Sequence, residues 1–179
     1  MKNTKNLVLM SLFAALIAVG AFIKVPMPLI PFTLQTFFVM MAGTLLGAKY
    51  AAGSVLVYVL IGLCGVPVFT GGGGFTYVFQ PTFGYLIGFI FAAFFIGMIV
   101  HKKQQPSWKR LLAGDLVGLI IWYAFGIVYY WMIAKYYLGD PVAMKSLLVP
   151  FILLPLPGDL IKMTLAILLG KRLLPVITK

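Results

Sequence analysis

Residues 82–100 read TFGYLIGFIFAAFFIGMIV, a run without one charged side chain. Its apolar residues are continuous rather than alternating, so it does not read as a strand of a transmembrane barrel, where lipid-facing and lumen-facing positions take turns. Coiled as an α-helix it rises about 28 Å, close to the roughly 30 Å of a bilayer's hydrocarbon core. Outward from it lie five more apolar segments, at 6–24, 33–47 and 50–66 on one side and at 110–136 and 147–174 on the other. Of the 179 residues, 63% are hydrophobic and 9% charged, with a mean hydropathy of +1.09. A soluble domain carries about a quarter charged residues, so lipid must solvate this surface. In lipid the backbone must pair within itself, which helices achieve. The expected fold is all-α, a polytopic membrane protein of six transmembrane helices. The short connections predict one domain over 1–179, and no internal repeat of the kind that marks secondary transporters is visible.

The 14 Lys and Arg against 3 Asp and Glu give a net charge of +11. The basic residues sit at the ends of apolar segments, a distribution that orients a membrane protein and argues against nucleic acid as a partner. With the N-terminus inside, the inner side holds Lys2, Lys5, Lys49, His101-Lys102-Lys103, Lys109-Arg110, Lys171, Arg172 and Lys179, and the outer side Lys24, Lys135 and Lys145. Both termini are therefore expected in the cytoplasm. Lys2 and Lys5 ahead of the apolar run 7–23, with Ala18-Val19-Gly20 beyond, also resemble a signal peptide; the charge balance favours a retained first helix. The first segment carries Ala14 and Ala18, small residues four apart that allow close helix approach, within the bundle or against a partner. Cys64, the single cysteine, is expected to be a small apolar packing residue.

The two longer outer loops are unusual. VPMPLIPF at 25–32 and VPVFTGGGGFTYVFQP at 66–81 hold no charge. Uncharged loops with aromatic residues are expected to fold back on the protein. The second and third segments are near 16 residues, about 24 Å as helices, so the loops could roof a recess above them.

The polar residues converge on that outer side. Asp159 and Lys162 stand three apart inside an apolar segment, hence on one helix face, and ionised groups are costly there. Pro155 and Pro157 interrupt the helix just before them. The pair reads either as a mutual ion pair that holds the bundle or as a clamp, Asp159 accepting N–H groups and Lys162 donating to a carbonyl or carboxylate. Thr33 and Gln35 begin the second segment, where they cap it or line a pocket. Phe75, Tyr77 and Tyr85 offer aromatic walls, with Gln80, Thr82 and Phe83 alongside. Gly71–Gly74, Gly73 among them, permits close backbone approach; with no Lys-Ser/Thr pair after it, it is not a phosphate loop. His101 reads as solvated, and Asp115 as a local ion pair with Lys109 and Arg110. No cluster suits a metal, no nucleophile–base pair suits an enzyme, and no cofactor is expected.

The runs PFTLQT at 31–36, GGGG at 71–74, PTFGYLIGF at 81–89 and PGDLIK at 157–162, in this order and spacing, resemble the BioY family. These are the biotin-specific substrate-binding subunits, or S components, of energy-coupling-factor (ECF) transporters. The resemblance spans nearly the whole chain. It implies six helices in the cell membrane of a prokaryote with both termini inside, and biotin bound near the outer face under the first and third connecting loops. It implies ligand contacts from Asp159 and Lys162. It implies that the Ala14/Ala18 face docks on a transmembrane coupling protein joined by two cytoplasmic ATPases. The chain has no Walker motif of its own. The competing readings are an S component for another vitamin, a membrane scaffold without a tight ligand, and an ion-coupled secondary transporter.

Overall fold

In the computed structural model, residues 2–27, 30–103, 106–139 and 142–177 are described; Pro28-Leu29 of the first outer loop and Lys179 fall outside them. Among the described residues the chain is all-α apart from a small hairpin and an isolated bridge between Phe69 and Gly72. Helix α1 (Lys2–Phe22) leads into strand β1 (Lys24–Val25), antiparallel to β2 (Phe32–Thr33), and then into α2 (Gln35–Leu46) and α3 (Ala48–Leu63). A 3-10 turn at Phe75–Phe79 precedes α4 (Phe83–Val100) and α5 (Trp108–Tyr136). The chain ends with α6 (Met144–Leu148), a π-helical stretch over Val149–Leu153 and α7 (Leu156–Ile177).

By length and apolar composition, α1, α4 and α5 can each cross a membrane, and a fourth span is counted if the bent pair 144–153 and 156–177 is one. Helices α2 and α3, with 12 and 16 residues, are shorter. They are separate because Gly47, at φ 77°, turns the chain between them, a conformation that costs a glycine little. The segment 147–174 is broken before Asp159, as its prolines led one to expect, and bent by 43°. Pro150 and Pro155 lack the N–H that an unbroken α-helix needs there.

The core is close-packed from all these helices, with Ile17, Met40, Tyr58, Ile96, Trp122 and Phe151 almost wholly excluded from solvent. Helix α1 is part of it, packed on α2 and α3. Lys5 donates to the carbonyl of Ile177 at 2.7 Å, Lys171 lies over the Trp108 ring, and His101 Nε2 pairs with the Thr44 carbonyl at 2.9 Å. These contacts gather one end of the bundle. At the other end Lys24 donates to the carbonyl of Thr70 at 2.7 Å, tying the hairpin to the Gly-rich loop.

Three expectations are corrected. Cys64 is exposed at the end of α3 rather than packed. His101, although exposed, is not merely solvated, since its ring bonds the last turn of α2. Among the described residues Asp115 has no ion pair; it is fully buried and neither carboxylate oxygen has a hydrogen-bond partner there. Arg110 and Lys109 lie five and six positions earlier, about 140° and 120° away around the helix, so they leave from other faces.

Candidate functional site

The break before α7 sets the site. Pro155 and Leu156 start the helix afresh, which puts Asp159 in its first turn, where a carboxylate is favoured by the unpaired N–H groups of the helix start. One turn on, Lys162 Nζ is 2.5 Å from Asp159 Oδ1. Both side chains are buried. The pair is not left to itself: Thr36, in the first turn of α2, donates to Oδ1 at 3.2 Å, and Tyr123 of α5 donates to Oδ2 at 2.5 Å. Lys162 also donates to the carbonyl of Thr33 at 2.8 Å and to Thr36 Oγ1 at 2.5 Å. Its three protons are thus all engaged within the protein. The Phe32 ring covers the ammonium at 3.8 Å. Gly158 allows this, because a Cβ there would stand 2.8 and 3.0 Å from ring carbons of Phe32.

A second network supports the roof. Gln35 Nε2 donates to the Tyr58 hydroxyl at 2.7 Å, Tyr58 donates to the Val68 carbonyl at 3.2 Å, and Thr33 Oγ1 donates to Gln35 Oε1 at 3.3 Å. Tyr77 shares hydrogen bonds with Thr70 and Thr82. Tyr85 donates to the Phe151 carbonyl, and Tyr129 to that of Val78. The uncharged loop at 66–81 therefore does fold back on the helices, as its composition suggested.

Between the two networks lies a recess with a cavity volume of about 60 Å³. Its polar lining includes Thr33, Gln35, Thr36, Tyr77, Tyr85, Tyr123, Asp159 and Lys162, and its apolar lining Phe32, Leu86, Phe89 and Trp122. Six of the eight residues expected from the sequence thus meet here. The other two do not line it. Phe75 is 71% exposed, and Gly73 packs against the backbone of Val66 and Gly62. Three further lining residues were not legible in the sequence: Thr36 belongs to the 31–36 run without a distinguishing mark, and Tyr123 and Trp122 sit in a long apolar helix with no local signal. Among the described residues no cluster of three or more His, Cys, Asp or Glu could hold a metal. On α1, Ala14 is buried in this chain's own core, and Ala18 is half-buried beside it.

The arrangement presents a buried acceptor at Asp159 held by three donors, with aromatic walls around it. The whole chain, residues 1–179, matches the model of the BioY family. It is 51% identical over 145 residues to the probable biotin transporter BioY of Lysinibacillus sphaericus, covering 81% of this chain and 72% of that protein. It is 41% identical over 171 residues to the biotin transporter BioY of Thermotoga maritima, covering 94% and 95%. The fold superposes with a TM-score of 0.84 on the crystal structure of the S-component for biotin from an ECF-type ABC transporter, at 31% identity, over 96% of this chain and 92% of that one.

Proposed function

This chain belongs to the BioY family, and from that premise we propose that it is the biotin-binding S component of an ECF-type ABC transporter, with biotin held in the recess beside Asp159. It is a multi-pass membrane transport component and not an enzyme. The observation that carries the ligand site is the buried Asp159–Lys162 pair, fixed from three other elements by Thr33, Thr36 and Tyr123 at the wall of the recess. An intramembrane charged pair with this much support is a functional site by default.

Biotin brings a ureido ring with two N–H donors and a carbonyl, an apolar thioether ring and a carboxylated tail. Asp159 accepts a ureido N–H; Tyr77, Tyr85, Gln35 and Thr33 line the space for the rest. Lys162 keeps Asp159 aligned. The chain acts as one membrane domain of six spans with both termini cytoplasmic. Helices α2 and α3 count as spans although short, since α2 is nearly all buried among the other helices and need not reach both lipid surfaces by itself. The basic side chains near Ile177, Thr44 and Trp108 support a cytoplasmic inner end. Energy comes from a transmembrane coupling protein and two cytoplasmic ATPases, docked through α1 beside Ala18.

Equilibrium binding of labelled biotin to the purified chain in detergent, without partners, tests the reading. Saturable binding near one per chain is expected. No binding by the folded protein, with stabilisation by a different vitamin instead, would move the assignment to that ligand.

A further inference from the structure

The hydrogen bonds around Asp159 leave little unused capacity, and what is left has a direction. A carboxylate offers about four acceptor positions. Oδ1 receives Lys162 and Thr36, and Oδ2 receives Tyr123, so one position on Oδ2 remains. Lys162 has no proton to spare. The clamp can therefore accept from a ligand but not donate to one.

A donor left over in the recess is on α5, at the residue before Tyr123. Trp122 adjoins Tyr123 and lines the recess. It is 0% exposed, and its indole Nε1 has no hydrogen-bond partner. An unpaired buried N–H is costly, and native structures seldom leave one without a purpose. The ring is held firmly. Phe89 meets it edge-on with centroids 6.0 Å apart, and Tyr123 does so at 6.2 Å. Its Cζ3 corner is turned toward Gly118, one turn inward on α5, so the Nε1 edge on the opposite side of the indole faces away from that turn.

We infer that Trp122 is a ligand-contacting residue: its indole N–H donates to the ring carbonyl of the bound molecule while Asp159 Oδ2 takes an adjacent ring N–H. One spare donor and one spare acceptor lining the same recess are complementary to a cyclic urea. This deepens the biotin reading and rests on it. It puts the ureido ring at the depth of Trp122 and gives Lys162 a positioning role through Asp159 rather than a bond to the ligand.

The test compares biotin with 2-iminobiotin, in which the carbonyl is replaced by a group that at neutral pH is a guanidinium, with N–H donors but no acceptor. Both are titrated against wild-type protein and Trp122→Phe, which keeps an aromatic ring and removes only the donor. The expected result is about a tenfold loss of biotin affinity in W122F with 2-iminobiotin affinity nearly unchanged, so that the wild type's preference for biotin collapses. Equal loss for both ligands, or none for either, overturns the role of Trp122 while leaving biotin as ligand. Failure of wild type to bind biotin overturns the reading beneath it as well. Should W122F not fold, a Trp108→Phe/Trp131→Phe protein carries a single indole. Its N–H resonance is expected to move downfield on adding biotin, and an unmoved resonance at saturation refutes the contact.

Discussion

The ammonium of Lys162 donates to the main-chain carbonyl of Thr33, 2.8 Å away and 129 residues earlier in the chain. One side chain of the last helix thus anchors the hairpin that closes the recess, while it neutralises the carboxylate beside it. The pair joins lid to wall.

Removing either charge should therefore cost more than one hydrogen bond, because the partner is left buried and uncompensated. Asp159→Asn and Lys162→Ala are each expected to weaken biotin binding by at least tenfold, about 1.4 kcal/mol. Titration of the purified variants, with melting curves to establish folding, measures it. Wild-type affinity in both would remove the pair from the binding site.

Gly158→Ala addresses the lid without touching a charge. The new methyl would lie 2.8 and 3.0 Å from carbons of the Phe32 ring, so the ring must leave its place over Lys162. Crowding of this kind costs about 1–3 kcal/mol. The variant is expected to melt earlier and to release biotin severalfold faster. An unchanged dissociation rate would mean that the Phe32 contact plays no part in closure.

Most helices were legible in the sequence because long uncharged runs leave the backbone no other way to pair. The charge at the segment ends was equally plain. What could not be read was which face of each helix turns inward. In a soluble helix the polar face answers that; here both faces are apolar, so Tyr123 and Trp122 were hidden within α5, and Ala14 was indistinguishable from a residue facing outward. Phe75 and Gly73 illustrate the same limit in a loop. The composition says that the loop folds back, but not that Tyr77 turns in while Phe75 turns out. Asp115 shows a third gap, since closeness in sequence to Arg110 says nothing about a shared face.

The position of Ala14 separates packing from docking. At 5% exposure among α1's neighbours, it has no room for a larger group. Ala14→Leu is expected to lower the melting temperature of the isolated subunit by several degrees, as overpacking costs about 1–3 kcal/mol and each kcal/mol is worth about 2–4 °C at this size. A substitution that impaired assembly with the energising module yet left this melting temperature intact would show instead that the face serves the partner.

Asp115 carries a buried carboxylate with no partner, which is a cost to the folded state wherever the charge persists. Asp115→Asn keeps the shape and removes the charge. It is expected to hold or raise the melting temperature, by a few degrees for about 1 kcal/mol, without altering biotin affinity, because Asp115 is not among the residues lining the recess. A large fall in stability would reveal a charge partner at this position.

Cys64 offers a direct test of orientation. It is the single cysteine of the chain, and it is exposed where α3 ends, just before the Gly-rich loop that Lys24 binds at Thr70. With both termini cytoplasmic, three spans precede it and it emerges outside. A membrane-impermeant maleimide should then label it on intact cells, and biotin should not slow the reaction, since Cys64 does not line the recess. Labelling only after the membrane is permeabilised would invert the proposed topology and move the recess to the opposite side. Strong protection by biotin would instead mean that the closed lid reaches farther along the loop than the contacts of Tyr77 and Thr70 extend.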